Sequence, residues 1–356
     1  MPGRGVMTSP LRILVIDDSA FNRRTIAKML EAIPGVEVVG DACDGEEGLR
    51  KVFDLQPDLV TLDLAMPRMD GFGFLRIVME QRPTPVIVVS ALAEDENVFK
   101  ALELGAVEFI PKPSARVSPE LVKIREDLVQ KVLQVARTDL RKVLTRTMVK
   151  PPCSAGTRLA NSSARQAISH VVIGASTGGP PALQAIFSAI QEPVPIAFAV
   201  SQHMPPVFTR AFAERLNKYS HLEIAEAKSG DLLLPGRVLV APGGRNLVFT
   251  RVGDEVSVQV VEPREGQRYV PSVDAMFTSA AEVFGADLLG VVLTGMGNDG
   301  AQGVLDIKKA GGQALAEAEE TSVVFGMPKE AIATGKVDKV VPLPLICSEI
   351  LRRCYN

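Results

Sequence analysis

Leu11-Arg12-Ile13-Leu14-Val15-Ile16-Asp17-Asp18-Ser19 decides how the first half of the chain folds. A nearly unbroken apolar run of this length is how a parallel strand buried on both faces reads. Two carboxylates end the run, and Ser19 then offers an N-cap for a helix. The pattern returns downstream. Apolar runs at 36–39, 59–62, 86–89 and 107–110 are separated by helical segments such as 46–53 and 94–104. Strands alternating with helices predict a doubly wound, mainly parallel α/β sheet. In the second half, Val171-Val172-Ile173-Gly174-Ala175-Ser176-Thr177-Gly178-Gly179-Pro180 repeats the passage from strand through tight turn to helix. Further apolar runs stand at 196–200 and 288–293. The chain therefore reads as two doubly wound α/β domains, at 1–117 and 167–356.

Between them, 118–166 reads as a helix and a basic linker. The helix starts near Pro119 and carries an apolar stripe at Leu121, Ile124, Leu128, Val132 and Val135. From 141 to 165 there is no acidic residue, and Pro151, Pro152 and Gly156 break regular structure, as in a flexible connector. A length of 356 residues, with 46% apolar and 23% charged side chains, suits a two-domain globular chain. The net charge is −3, the second domain is acidic, and no basic recognition helix is present, which excludes a DNA-binding effector. Cys43, Cys153, Cys347 and Cys354 form no CxxC pair, which argues against a disulfide framework or a thiolate zinc site and for a reducing cytoplasm. No apolar run approaches the ~18 residues a membrane helix needs. The stretch at 11–16, cut off by two aspartates, is not a signal peptide.

In open α/β sheets ligands sit at the carboxyl ends of the strands. In the first domain this rule selects Asp17, Asp18, Asp63, Ser90 and Lys112. Carboxylate oxygens suit Mg²⁺, which keeps open positions for phosphate oxygens. A carboxylate beside that cation can accept a phosphoryl group, with Lys112 and Ser90 contacting it. In the second domain the rule selects Ser176, in the GxSxG-type turn Gly174-Ala175-Ser176-Thr177-Gly178. A serine needs a base. His170 opens a strand and so lies at the opposite edge, and His221 precedes a strand. His203 follows the run at 196–200 and shares the edge of Ser176. The acid that steadies it is Asp299, after the strand at 288–293, with Asp274 a competitor that opens a helix. The order Ser…His…Asp differs from that of ordinary α/β-hydrolases.

The first domain resembles response-regulator receiver domains over residues 11–115. The resemblance rests on Val15-Ile16-Asp17-Asp18-Ser19, Leu62-Asp63-Leu64-Ala65-Met66-Pro67, Met69-Asp70-Gly71, Val89-Ser90-Ala91 and Pro111-Lys112-Pro113. It implies that Asp63 is the phosphoacceptor, that Asp17, Asp18 and Asp63 hold Mg²⁺ with the carbonyl of Ala65, and that Phe109 is the aromatic switch. The second domain, over 168–350, resembles the catalytic domain of the CheB chemotaxis methylesterase family. The motifs are Gly174-Ala175-Ser176-Thr177-Gly178-Gly179, Gln202-His203-Met204-Pro205, Phe212-Ala213-Glu214-Arg215-Leu216, Arg268 with Pro271-Ser272-Val273-Asp274, Leu293-Thr294-Gly295-Met296-Gly297-Asn298-Asp299-Gly300, and Val324-Phe325-Gly326-Met327-Pro328. This resemblance implies a triad of Ser176, His203 and Asp299, with backbone N–H groups, Met296 a candidate, as oxyanion donors. It implies no cofactor in the catalytic domain. The implied reaction removes methyl esters from receptor glutamates as methanol, with deamidation of receptor glutamines beside it. The implied partners are methyl-accepting chemotaxis receptors, through which alone the chain would meet a membrane, and a chemotaxis histidine kinase as phosphodonor. Nucleic acid is not among them. The family also implies that the unphosphorylated receiver covers the catalytic opening. The competing reading is a receiver-gated interaction protein whose hydrolase-like domain is inactive.

Overall fold

The computed structural model describes residues 10–90, 95–112, 128–133, 135, 168–253 and 255–354. The chain divides into two compact units, Met1–Leu144 and Thr145–Asn356. In the first, β1 (Leu11–Ile16), α1 (Ala20–Glu31), β2 (Val36–Ala42), α2 (Gly45–Leu55), β3 (Leu59–Leu62), α3 (Gly71–Gln81), β4 (Val86–Ser90), α4 (Asp95–Glu103) and β5 (Glu108–Pro111) alternate without exception. The five strands form one parallel sheet in the order β2-β1-β3-β4-β5. Ile13, Val15, Leu59, Val60, Ile87 and Val88 are fully buried, as expected for strands covered on both faces. Ser19, Asp44 and Asp70 cap α1, α2 and α3, each accepting from a backbone N–H inside the first turn. Residues 128–133 are helical, and Leu128, Val132 and Val135 of the anticipated stripe are buried. Leu121, Ile124, Cys153 and the basic connector lie outside the described residues.

The second unit contains β6 (His170–Ala175), α5 (Gly179–Ala189), β7 (Ala197–Gln202), α6 (Pro206–Lys218), β8 (Glu223–Glu226), β9 (Arg237–Val240), β10 (Asn246–Val252), β11 (Glu255–Val261), α7 (Val273–Phe284), β12 (Leu288–Val292), α8 (Ala301–Lys309), β13 (Gln313–Glu317), α9 (Met327–Ala333), β14 (Lys339–Val341) and α10 (Leu343–Cys354). Seven strands make a parallel sheet in the order β14-β13-β12-β6-β7-β9-β8. The chain leaves β6 toward β7 on one side and later returns with β12 on the other. That reversal opens a crevice at the carboxyl end of β6. The antiparallel hairpin β10–β11 was not anticipated. Its Leu247, Phe249 and Val258 join Met276, Phe277 and Phe284 of α7 in one buried cluster. On its other side α7 presses against β6: a Cβ at Gly174 would stand 2.3 Å from Val273 Cγ1. Only glycine at 174 lets the start of α7 come that close, and this approach brings Ser272, Val273 and Asp274 under the crevice.

Candidate active site

Three neighbouring strands, β12, β6 and β7, deliver the three residues expected from sequence to one sheet edge. Ser176 follows β6 directly, His203 follows β7 directly, and Asp299 lies in the turn between β12 and α8. The main chain ties them: His203 N donates to Ala175 O at 3.0 Å, and Ser176 N donates to Thr294 O at 3.0 Å. Gly178, at φ +76°, reverses the chain after Ser176 so that α5 begins at once. Gly179 N donates back to Ser176 O at 2.7 Å. Ser176 itself keeps 9% of its surface open.

His203 Nε2 and Asp299 Oδ2 are 2.8 Å apart. Because a carboxylate can only accept, Nε2 carries the proton and Nδ1 is left as the basic nitrogen. Among the described residues no hydrogen bond yet joins Ser176 Oγ to that nitrogen, a gap common before substrate arrives. Asp299 is 2% exposed and accepts three further donors: Ser272 Oγ at 3.1 Å, Val273 N at 2.7 Å and Asp274 N at 2.8 Å. Burial works to raise its pKa. The bond and charge of His203, with the N–H groups of Asp274 and Val273, outweigh that, so the carboxyl lies below its ordinary range. Asp274 does not touch the histidine. Its Oδ1 accepts from Gly300 N at 2.9 Å and Gly303 N at 2.7 Å, at the start of α8. Burial, with the Asp299 charge adding to it, pushes Asp274 above the ordinary range. The helix-opening reading of Asp274 therefore holds, and the two acids cap each other's helices.

Sequence reasoning missed three neighbours. Gln202 Nε2 donates both to Ser176 O at 2.9 Å and to His203 O at 3.0 Å. Thr294 Oγ1 donates to Thr177 O at 2.9 Å and accepts from Val324 N at 3.0 Å, while Thr294 N donates to buried Glu317. Tyr269 stacks on His203, ring centroids 5.1 Å apart and planes within 3°. Gln202 and Thr294 stood inside quoted motifs, but Tyr269 had no local signal beyond its place after Arg268. Met296 follows Gly295, whose Cα lies so close to the nucleophile that a Cβ there would come within 2.7 Å of Ser176 Cβ. The other histidines are elsewhere. His170 stacks on Phe284 at 3.9 Å and bonds Ser169 at 2.8 Å, and His221 is exposed.

In the first unit Lys112 Nζ reaches Asp63 Oδ2 at 2.6 Å and Asp17 Oδ2 at 3.3 Å. Ligand oxygens of Asp17, Asp18 and Asp63 lie within 4.8 Å of one another. Burial pushes the Asp63 carboxyl up to about 6; the Asp17 charge adds to this, while Lys112 and the Ala65 N–H oppose it. Ser90 ends β4. Phe109 is buried, and its carbonyl accepts from Lys131 Nζ at 2.8 Å.

A parallel sheet with clustered aspartates and a lysine, joined to another that gathers serine, histidine and aspartate at its switch point, defines a response regulator with a hydrolase-type output domain. The chain belongs to the CheB methylesterase family: the model of that family, CheB methylesterase, matches residues 171–350, and the response regulator receiver domain matches residues 13–123. It is 58% identical to protein-glutamate methylesterase/protein-glutamine glutaminase 3 of Geobacter sulfurreducens, over 97% of each chain. It is 49% identical to protein-glutamate methylesterase/protein-glutamine glutaminase 1 of Myxococcus xanthus, over 96% of each. The crystal structure of the Thermotoga maritima CheB methylesterase catalytic domain superposes with a TM-score of 0.51 at 38% identity, covering 52% of this chain and 99% of that one. Among the described residues no helix is long and apolar enough to cross a membrane.

Proposed function

We propose that this chain is a phosphorylation-gated serine hydrolase that demethylates glutamate methyl esters on chemotaxis receptors and deamidates receptor glutamines. Its output residues are Ser176 as nucleophile, His203 as base and Asp299 as the acid that orients it. Ser176 Oγ attacks the ester carbonyl while its proton passes to His203 Nδ1. The carbonyl electrons move onto oxygen, where backbone N–H groups, that of Met296 among them, would stabilise the charge by roughly 3–4 kcal/mol per donor. Collapse expels the methoxy group, which takes the proton from His203 and leaves as methanol. Water then attacks the acyl-serine with the same base and frees glutamate. With glutamine the leaving group is ammonia. The observation that carries this reading is the His203–Asp299 bond beside Ser176 on one strand edge. Ser176→Ala should abolish methanol release from methylated receptor and labelling by a fluorophosphonate probe. Labelling at wild-type rate would reject the nucleophile, and an unlabelled wild-type chain would favour an inactive interaction module.

For the receiver unit the proposal is that Asp63 accepts a phosphoryl group from a chemotaxis histidine kinase, in the cytoplasm, with Lys112, Ser90 and Phe109 responding. Asp17, Asp18 and Asp63 fit a magnesium ion. They are hard oxygen donors, and among the described residues the one Lys112 ammonium, 2.6 Å from Asp63 Oδ2 and 3.3 Å from Asp17 Oδ2, faces three clustered carboxylates, a surplus of negative charge that a divalent ion would balance. When bound, the ion supplies positive charge to phosphoryl oxygens; Lys112 supplies a second cation from the protein. The domains follow as 1–117, 118–166 and 167–356. Acetyl phosphate should raise the esterase rate of wild type and leave Asp63→Asn unchanged.

A further inference from the structure

Deeper within the same site, the base is held by more than its acid. One hydrogen bond, from His203 Nε2 to Asp299, leaves the imidazole free to swing about that line. Tyr269 lies flat against the ring, with centroids 5.1 Å apart and planes within 3°, the separation of an offset aromatic stack. Its phenol face would also favour the cationic imidazolium formed during turnover. Tyr269 is itself fixed. Gln267 Nε2 donates to Tyr269 O at 2.8 Å, and Gln267 pairs with Asn246 through two 3.0 Å amide bonds. Asn246 Oδ1 also accepts from Ser272 N at 3.0 Å, and Ser272 Oγ donates to Asp299. One amide pair thus anchors both the stacking ring and the acid's support. The hydroxyl end is different. Tyr269 Oη is buried with no hydrogen-bond partner among the described residues. It packs where a Cβ at Gly297 would stand 2.0 Å away, against the turn that carries Met296 and Asp299.

We propose that Tyr269 is a positioning residue whose ring, rather than its hydroxyl, holds the His203 imidazole in the plane joining Asp299 to Ser176. The proposal rests on the hydrolase reading given above. It separates two substitutions. Tyr269→Phe keeps the stack and removes only an unpaired buried hydroxyl, a change expected to be neutral or slightly stabilising. Tyr269→Leu keeps apolar bulk and removes the flat partner.

The test uses the full chain and two assays: methanol release from methylated receptor, and the rate of fluorophosphonate labelling at Ser176. Tyr269→Leu should lower kcat and the labelling rate about ten-fold or more with KM changed less than about two-fold, while Tyr269→Phe stays within about two-fold of wild type in both. Wild-type rates in Tyr269→Leu, a loss confined to KM, or a Phe variant as impaired as the Leu variant would overturn the proposal. If Tyr269→Leu fails to fold, Tyr269→Met and Tyr269→His, each read against Tyr269→Phe, decide it: the flat His ring should retain more activity than Met. A wild-type chain that labels but releases no methanol would reject the substrate reading and leave the labelling rates to judge Tyr269. A chain that does neither would overturn both.

Discussion

Asp299→Asn tests how the carboxylate works, because its hydrogen bonds leave an amide no good orientation. Oδ1 accepts from Ser272 Oγ and Asp274 N, and Oδ2 from His203 Nε2 and Val273 N. Asparagine offers one accepting oxygen and one donating NH₂. Whichever way it turns, the NH₂ faces a buried backbone N–H. An unpaired buried donor costs about 1–3 kcal/mol, and losing the charge at the start of α7 adds ~0.3–2 kcal/mol. At roughly 2–4 °C per kcal/mol for a domain of this size, Tm of the catalytic unit should fall by about 3–20 °C. With the NH₂ toward His203, the imidazole must move its proton to Nδ1 and can no longer take one from Ser176. With the oxygen toward His203, the tautomer survives but the imidazolium loses its counter-charge. The first arrangement lowers kcat by on the order of 10⁴ in comparable triads, so a loss of at least ~10³ is expected. Methanol release, measured where circular dichroism shows the variant folded, reads kcat, and thermal unfolding reads Tm. A folded variant that keeps more than about a tenth of wild-type kcat with unchanged Tm would refute the reasoning.

Three other outcomes follow from contacts elsewhere in the chain. Gln202→Leu removes both donors that join Ser176 O to His203 O; kcat and labelling rate should each fall about ten-fold, and unchanged rates would show the clamp to be idle. Burial, with the Arg251 charge adding and Asp287 opposing, lowers the His170 pKa from 6.5 to about 4. Between those values the unfolded chain binds a proton that the folded chain refuses, so stability present above pH 6.5 is lost as pH falls toward 4. His170→Phe should show a shallower fall of Tm across that window. Calorimetric titration should detect Mg²⁺ binding to wild type and a large loss of it in Asp17→Ala, since Asp17 supplies a buried oxygen to the carboxylate cluster.

Most of the architecture was legible because burial on both faces forces parallel strands into unbroken apolar runs. β1 and β3 fall on the predicted residues, and β6, β7 and β12 differ by a residue or two at their ends. The edge rule then placed Ser176, His203 and Asp299 together without any contact being known. The hairpin β10–β11 escaped that rule, although Leu247 and Phe249 alternate inward as a half-buried strand requires. It lies off the main sheet, on α7, where strand-end logic has no purchase. Tyr269 escaped for a different reason. A stack between residues sixty-six positions apart, roughly, leaves no periodicity for a single sequence to display. The reciprocal caps were half visible: Asp274 read as a helix-opening residue and Asp299 as a strand-end acid, but which helix each one capped was settled only by the close approach of α7 to β6 at Gly174.

That reciprocity supplies the sharpest comparison between the two acids. Asp299 is buried and Asp274 half-buried, and their charges repel, which drives their pKa values apart. Asp299 holds the His203 bond and lies low, and Asp274 lies high. Asp274 meets both of its backbone donors, Gly300 N and Gly303 N, through the single oxygen Oδ1. An asparagine can keep both bonds with its one oxygen, so Asp274→Asn deletes the repelling charge and none of these caps. Near neutral pH its kcat should stay within about two-fold of wild type and its Tm should match or exceed wild type, since removing a like charge from a buried pair is favourable. The sign with pH follows. The wild-type folded state takes up a proton at Asp274 before the unfolded state does, so acidification relieves the repulsion in wild type and the variant's advantage should shrink as pH falls. Parallel methanol-release and unfolding curves for Asp274→Asn and Asp299→Asn separate the roles. Equal loss of kcat in the two variants would mean that the acid serving His203 is shared between them, and the assignment to Asp299 alone would fail.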